Sequence, residues 1–249
     1  GTLGLTFDGK LAERMRHELR QRRQLPRAVY LSPSTDPFPP YADVQEVACQ
    51  VVETLAEAGV DAWIMTRGLI RPFARERLAC QRQRVRVTLP MTTLDRQMQR
   101  MLEPLTASPR LRLKQLKALR DLGIRTEVAL EPLLPGLTDT RANLEPLLDA
   151  LADLQVKRLT VGFAYLRHGI QENLEKELPE AVSGPLIAEY ASGPLLTMPA
   201  APPAQHLPRR ERQRVYGLLM TLAARRGISV SVSALLNPDF SSTMSGTSP

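Results

Sequence analysis

Between residues 27 and 167 the chain alternates two kinds of segment. Short apolar runs at 28–31, 62–66, 85–89, 126–130 and 159–165 are too brief for helices and are rich in Val, Ile and Leu. Between them, residues 44–58, 72–80, 110–122 and 141–154 repeat apolar side chains every three or four positions, the spacing of a helix with one buried face. Strands separated by helices of that length predict a parallel sheet with crossover helices. Gly59 and Gly123 follow two of the helices, where a left-handed residue ends a helix most easily, so both are read as structural.

The flanks read differently. Residues 9–23 carry Leu11, Met15 and Leu19 at helical spacing beneath a basic face, which predicts a solvated helix docked on the barrel. Residues 179–207 shift to Pro, Ala, Gly and Ser and are expected to form an irregular linker. A basic amphipathic helix over 209–226, ending at Gly227, and a strand over 228–232 follow, then a polar tail expected to be disordered. The expected organisation is an N-terminal basic helix (1–26), one barrel domain (27–178), the linker (179–207), a C-terminal helix and strand (208–240) and the tail (241–249). Leu-Glu-Pro-Leu begins at Leu102, Leu130 and Leu144, but in three different contexts, so it is not read as an internal repeat.

Composition narrows the function classes. At 249 residues and 43% hydrophobic the chain can bury a core of barrel size. A net charge of +7 fits nucleic acid as a partner, yet the arginines are spread along the chain, which general codon bias explains as well. Cys49 and Cys80 are too far apart for a metal-ligand pair and too few for a disulfide framework, as expected of two ordinary thiols in a reducing, cytoplasmic setting. Neither a membrane-length apolar run nor a charged-then-apolar leader occurs. A Walker loop, a dinucleotide glycine fingerprint, zinc spacing and a nucleophile elbow are likewise missing, and His17, His168 and His206 stand apart in sequence.

Candidate chemistry collects where the predicted strands end. The run from Leu31 reads Leu-Ser-Pro-Ser-Thr-Asp-Pro-Phe-Pro-Pro, an apolar strand breaking into hydroxyls, a carboxylate and prolines. In a β/α barrel that end carries ligand-binding loops on rigid strands. Ser34, Thr35 and Asp36 match amino, carboxylate or hydroxyl groups, Arg67 matches a carboxylate gripped bidentately, and Thr88 and Thr92 add short hydroxyls. Each of these alone is also a common turn or cap residue. Glu131, before the Pro-Leu-Leu-Pro-Gly turn, and His168, after the last barrel strand, are weaker candidates for substrate contact. Glu103 and Arg112 are read as an ion pair steering a helix entry.

Several stretches, in order, resemble one family. They are Thr35-Asp36-Pro37, the helix end Leu55-Ala56-Glu57-Ala58-Gly59, Met65-Thr66-Arg67 and Val87-Thr88 with Thr93. Leu102-Glu103-Pro104, Arg112-Leu113, Leu122-Gly123-Ile124 and Pro132-Leu133-Leu134-Pro135-Gly136-Leu137-Thr138-Asp139 continue the series. Over residues 27–166 the chain resembles the spore photoproduct lyase-like branch of the radical S-adenosylmethionine (SAM) superfamily. The resemblance implies an α/β fold, a partial (β/α)6 TIM-like barrel, with SAM and a [4Fe-4S] cluster as cofactors and an external reductant for the cluster. In the family three cysteines spaced Cys-x3-Cys-x2-Cys on the loop after the first strand hold the cluster. An electron from it splits SAM to a deoxyadenosyl radical that abstracts hydrogen from substrate. Neither cysteine here lies in such a motif, and the resemblance begins beyond that loop. The expectation is a lyase-like piece without its first strand, cluster loop or metal ligands, inactive by itself.

Carried over by position, the resemblance places Ser34, Thr35 and Asp36 against the amino-acid or ribose part of SAM. Arg67 stands where relatives usually have a lysine for the carboxylate, and Thr88 at a strand-end hydroxyl position. The substrate is left unidentified by the resemblance; DNA is one reading, because photoproduct lyases repair a thymine dimer and this chain is basic, although a cysteine for hydrogen return is not evident. The rival expectation, from a different class, is a catalytically silent barrel binding nucleic acid or a protein through its Arg-rich helices.

Overall fold

The alternation of apolar runs and amphipathic segments becomes a parallel six-stranded sheet in a mixed α/β fold, consistent with a partial TIM-like barrel. The computed structural model describes residues 8–31, 35–198, 201–234 and 236–240. Ser34 and the tail at 241–249 lie outside the described residues. In chain order the elements are α1 (Leu11–Gln21), β1 (Ala28–Leu31), α2 (Ala42–Glu57), β2 (Asp61–Met65), α3 (Pro72–Cys80), β3 (Val85–Pro90), α4 (Arg96–Leu102), α5 (Pro109–Asp121) and β4 (Arg125–Leu133). They continue as α6 (Arg141–Asp153), β5 (Arg158–Phe163), β6 (Tyr165–Leu166), α7 (His168–Glu177), α8 (Glu180–Ala188), β7 (Leu195–Met198), β8 (Ala201–His206), α9 (Arg209–Ala224) and β9 (Ser229–Val232). Two units result, one of Gly1–Pro90 with Thr106–Glu127, the other of Met91–Leu105 with Val128–Pro249.

In the first unit β1, β2 and β3 pair in parallel, with Val29 opposite Ala62, Leu31 opposite Ile64, and Ile64 opposite Val87. Because strand side chains alternate, those rows share one face, and Ala62, Ile64, Val85 and Val87 are buried there. The opposite face carries Tyr30, Trp63 and Arg86 in one row and Met65 with Thr88 in the next. α2 packs on β2 and α3, and α1 packs on α2, where the Arg16 guanidinium donates to the Thr54 hydroxyl. Gly59 and Gly123 have the positive φ expected at the ends of α2 and α5 (78° and 73°).

In the second unit β4, β5 and β9 are parallel, so the C-terminal strand belongs to the same sheet as the barrel strands. The linker expected over 179–207 is a correction: this stretch forms α8, β7 and β8, and β8 is the centre of an antiparallel sheet ordered β6-β8-β7. Prolines made it look irregular. Pro202 and Pro203 fall between the paired positions Ala201 and Ala204, where the ladder with β7 shifts register, so their missing N–H groups interrupt no paired position. The segment 237–240 is held by Arg212 of α9, which has a fully buried side chain. Its guanidinium grips Asp239 through two bonds of 2.8 Å, donates to Asn237 Oδ1 at 3.2 Å and lies over the Phe240 ring. Among the described residues no helix is long and apolar enough to cross a membrane.

Candidate functional site

The loops that follow β1 and β2 meet through one carboxylate. Asp36 Oδ1 accepts from the Phe38 N–H at 2.9 Å and the Thr66 hydroxyl at 2.6 Å, while Oδ2 accepts from the N–H groups of Arg67 and Gly68 at 2.7 and 2.9 Å. Two carboxylate oxygens offer about four lone-pair sites, so these four donors account for its capacity. The Thr66 N–H in turn donates to the Thr88 carbonyl at 3.2 Å. Of the residues named from sequence, Asp36 reaches the Thr66 hydroxyl and the Arg67 N–H, whereas Thr88 meets Thr66 only through the backbone ladder between β2 and β3. The two loops touch so closely that only glycine fits at 68, since a Cβ there would lie 2.0 Å from the Phe38 carbonyl oxygen.

Around that junction Thr35 is exposed, and Arg67 and Thr88 are half-buried. The sheet face beneath the loops is not packed as the interior of a closed barrel is. Tyr30 and Trp63 keep 42% and 39% of their surface exposed. The Arg86 guanidinium sits 4.9 Å from the centre of the Trp63 ring and pairs with Glu127 at 3.1 Å. Two half-exposed rings with a guanidinium over one of them make a partly wet aromatic surface that suits a flat ring.

The weaker candidates belong to the second unit. Glu131 is half-buried on β4, between Leu130 and Leu133, where pairing with β5 shifts register. His168 opens α7 with its side chain 91% exposed and pairs with Glu172 on the same helix, as an ordinary surface histidine does. It borders a groove of about 540 Å³ shared with Gln171, Tyr190, Leu195 and Gln205. Thr92 is buried, and its carbonyl accepts from Asn143 at 2.7 Å. Arg112 is buried, with its described bonds running to the carbonyls of Ala107 and Pro90 and to the Thr106 hydroxyl.

The cysteines do not fit an iron–sulfur cluster. Cys49 is buried in α2, burial pushes its thiol up to about 12, and its Sγ lies 4.0 Å from the Ala74 carbonyl. Cys80 is exposed at the end of α3. Among the described residues no group of His, Cys, Asp or Glu could hold a metal ion.

Sequence reasoning missed Gln45, Thr66, Gly68 and Gln115. Two of them had a signal: Gln45 shares a helical stripe with Cys49 and Val52, and Gln115 one with Arg112 and Leu119, so each is a polar side chain on a buried face. Buried amides are retained where they satisfy backbone groups.

No family model matches the chain. An uncharacterized protein of Mycobacterium tuberculosis is 30% identical over 157 residues, covering 61% of this chain and 46% of that protein. The chain therefore spans about half the length of the curated relatives it matches. Among solved structures, spore photoproduct lyase complexed with dinucleoside spore photoproduct superposes with a TM-score of 0.66 at 10% identity, over 90% of this chain and 66% of that one. SuiB of Streptococcus suis bound to S-adenosylmethionine superposes with a TM-score of 0.59 at 13% identity, over 93% of this chain and 45% of that one. Identities this low speak to fold, and the fold they show is that of the radical SAM enzymes, of the spore photoproduct lyase type.

Proposed function

We propose that the chain is the SAM-binding part of a radical SAM-type enzyme, with SAM held at the loops after β1 and β2. The observation that carries this reading is Asp36 joining the strand-end loops of β1 and β2 at Phe38, Thr66, Arg67 and Gly68, in a fold whose solved relatives include SuiB bound to S-adenosylmethionine. Arg67 is assigned to the SAM carboxylate, and Ser34, Thr35 and Thr88 to its amino or ribose groups. Asp36 holds the loops rather than the ligand, because its oxygens already serve four donors. The half-exposed face bearing Tyr30 and Trp63 supplies an apolar, flat surface for a ring. SAM at this site would supply the deoxyadenosyl group from which such enzymes draw a hydrogen-abstracting radical.

A [4Fe-4S] cluster does not fit the two cysteines present, so in this reading its ligands come from outside these 249 residues, and the chain alone does not form the radical. Titration calorimetry with SAM on the 249-residue chain tests the assignment. Saturable binding is expected, weakened at least about tenfold in Arg67→Ala and largely kept in Arg67→Lys, which retains the charge without the fork. Affinity that is absent, or equal in the parent and Arg67→Ala, would overturn the reading.

A further inference from the structure

The segment 66–71 has no regular secondary structure, yet side chains from distant parts of the first unit bind its backbone at nearly every residue. Asp36 takes the N–H groups of Arg67 and Gly68. Gln115, from α5, accepts from the Ile70 N–H at 2.7 Å and donates to the Gly68 carbonyl at 3.0 Å. Gln45, from α2, accepts from the Arg71 N–H at 2.9 Å and donates to the Leu69 carbonyl at 2.9 Å. The same Gln45 amide also reaches the Pro39 carbonyl at 2.7 Å, so it bridges the loops after β1 and β2. The Arg67 carbonyl accepts from the Ala107 N–H, and Arg112 binds the Ala107 carbonyl and fixes that turn to the end of β3 at Pro90.

We propose that this network makes residues 35–39 and 66–71 one pre-formed platform, and that Asp36, Gln45 and Gln115 are positioning residues that set Arg67 and Thr35 for the ligand without touching it. The inference rests on the SAM-site reading above. Gln45 is fully buried and Gln115 is 4% exposed, so neither offers its amide to a bound molecule. An apolar side chain of the same size would fill either position, and burying an amide gains stability only by matching backbone groups. What the amides supply is direction: they fix one backbone conformation of a loop that no ladder or helix holds. A loop fixed before binding loses little entropy when the ligand arrives.

Amide hydrogen exchange and SAM titration on the full chain and on Gln115→Leu, Gln115→Glu and Arg67→Ala test this. Gln115→Leu keeps volume and removes both bonds, whereas Gln115→Glu keeps the acceptor for the Ile70 N–H. In Gln115→Leu, exchange over 66–71 is expected to speed at least about tenfold while β2, β3 and α5 stay protected, and SAM affinity to fall at least about tenfold. Gln115→Glu should recover part of both. Unchanged exchange over 66–71, or faster exchange with unchanged affinity while Arg67→Ala still loses binding, would overturn the positioning role and leave the site reading intact. If Arg67→Ala also binds SAM like the parent, the site reading fails, and the positioning role falls with it.

Discussion

Arg112 and Arg212 are each the fourth residue of a helix, α5 and α9, and each turns its guanidinium back past the helix start. In both, Nε donates to the carbonyl five residues earlier, Ala107 at 2.9 Å and Leu207 at 2.8 Å, and both side chains are buried. The remaining donors separate them. Among its described bonds, Arg112 reaches the Pro90 carbonyl at the end of β3 and the Thr106 hydroxyl, next to the loops of the candidate site. Arg212 clasps Asp239 and Asn237, and Asn237 also accepts from the Tyr216 hydroxyl at 2.7 Å. The comparison teaches that one local device, a cation folded over a helix N-terminus, ties down a turn beside the candidate site in one unit and the segment 237–240 in the other. What the far donors meet decides which.

The clasp should break hardest. Arg212→Met leaves the Asp239 carboxylate, only 18% exposed, without its cation, and removing one partner of a buried pair costs about 3–5 kcal/mol. Urea unfolding of the full chain measures it, and pairing the change with Asp239→Leu should recover much of the loss, because an apolar pair no longer buries a charge. Arg112→Met should act locally, with faster exchange concentrated at 106–107 and 67–68, where its described bonds lie. A global rise in exchange for Arg112→Met would erase the distinction between the two networks.

How far these features were legible follows from the kind of force behind them. The strands at Ala62, Ile64, Val85 and Val87 were visible because burial on one face imposes a pattern of period two, and the same holds for the helical stripes of α2 and α5. Asp36, Arg67 and Thr88 could be named because strand ends of a parallel sheet gather polar groups. That Asp36 accepts from Thr66, Arg67 and Gly68 was not legible, since these donors lie some thirty residues away in sequence. The Arg212–Asp239 pair was missed for the same reason, being fixed by packing between α9 and the segment 237–240. Over 179–207 local composition misled, because prolines lower strand propensity without forbidding a strand whose ladder steps around them.

The smallest effect separates the two networks by pH. Beside the clasp, His206 is 1% exposed, and burial first, then the nearby charge of Arg212, push its imidazole down to about 4, with Asp239 opposing. An unfolded chain holds that group near its ordinary value of about 6.5. Above that value both states are neutral and stability does not depend on this residue's charge. As pH falls from about 6.5 toward about 4, the unfolded state takes a proton the folded state refuses, so stability declines by at most about 1.4 kcal/mol per unit. Below about 4 both states carry the proton and the dependence ends. The amides of Gln45 and Gln115 have no proton to gain in this range, so the Ile70 and Arg71 N–H groups they hold should be indifferent to it. Unfolding measured at about pH 7.5 and about pH 5 should therefore show a steeper loss in the parent than in His206→Gln, with exchange at Ile70 and Arg71 unchanged by pH once the intrinsic rate is divided out. Equal slopes in the two chains would remove His206 as the source, and pH-dependent exchange at those two amides would break the contrast itself.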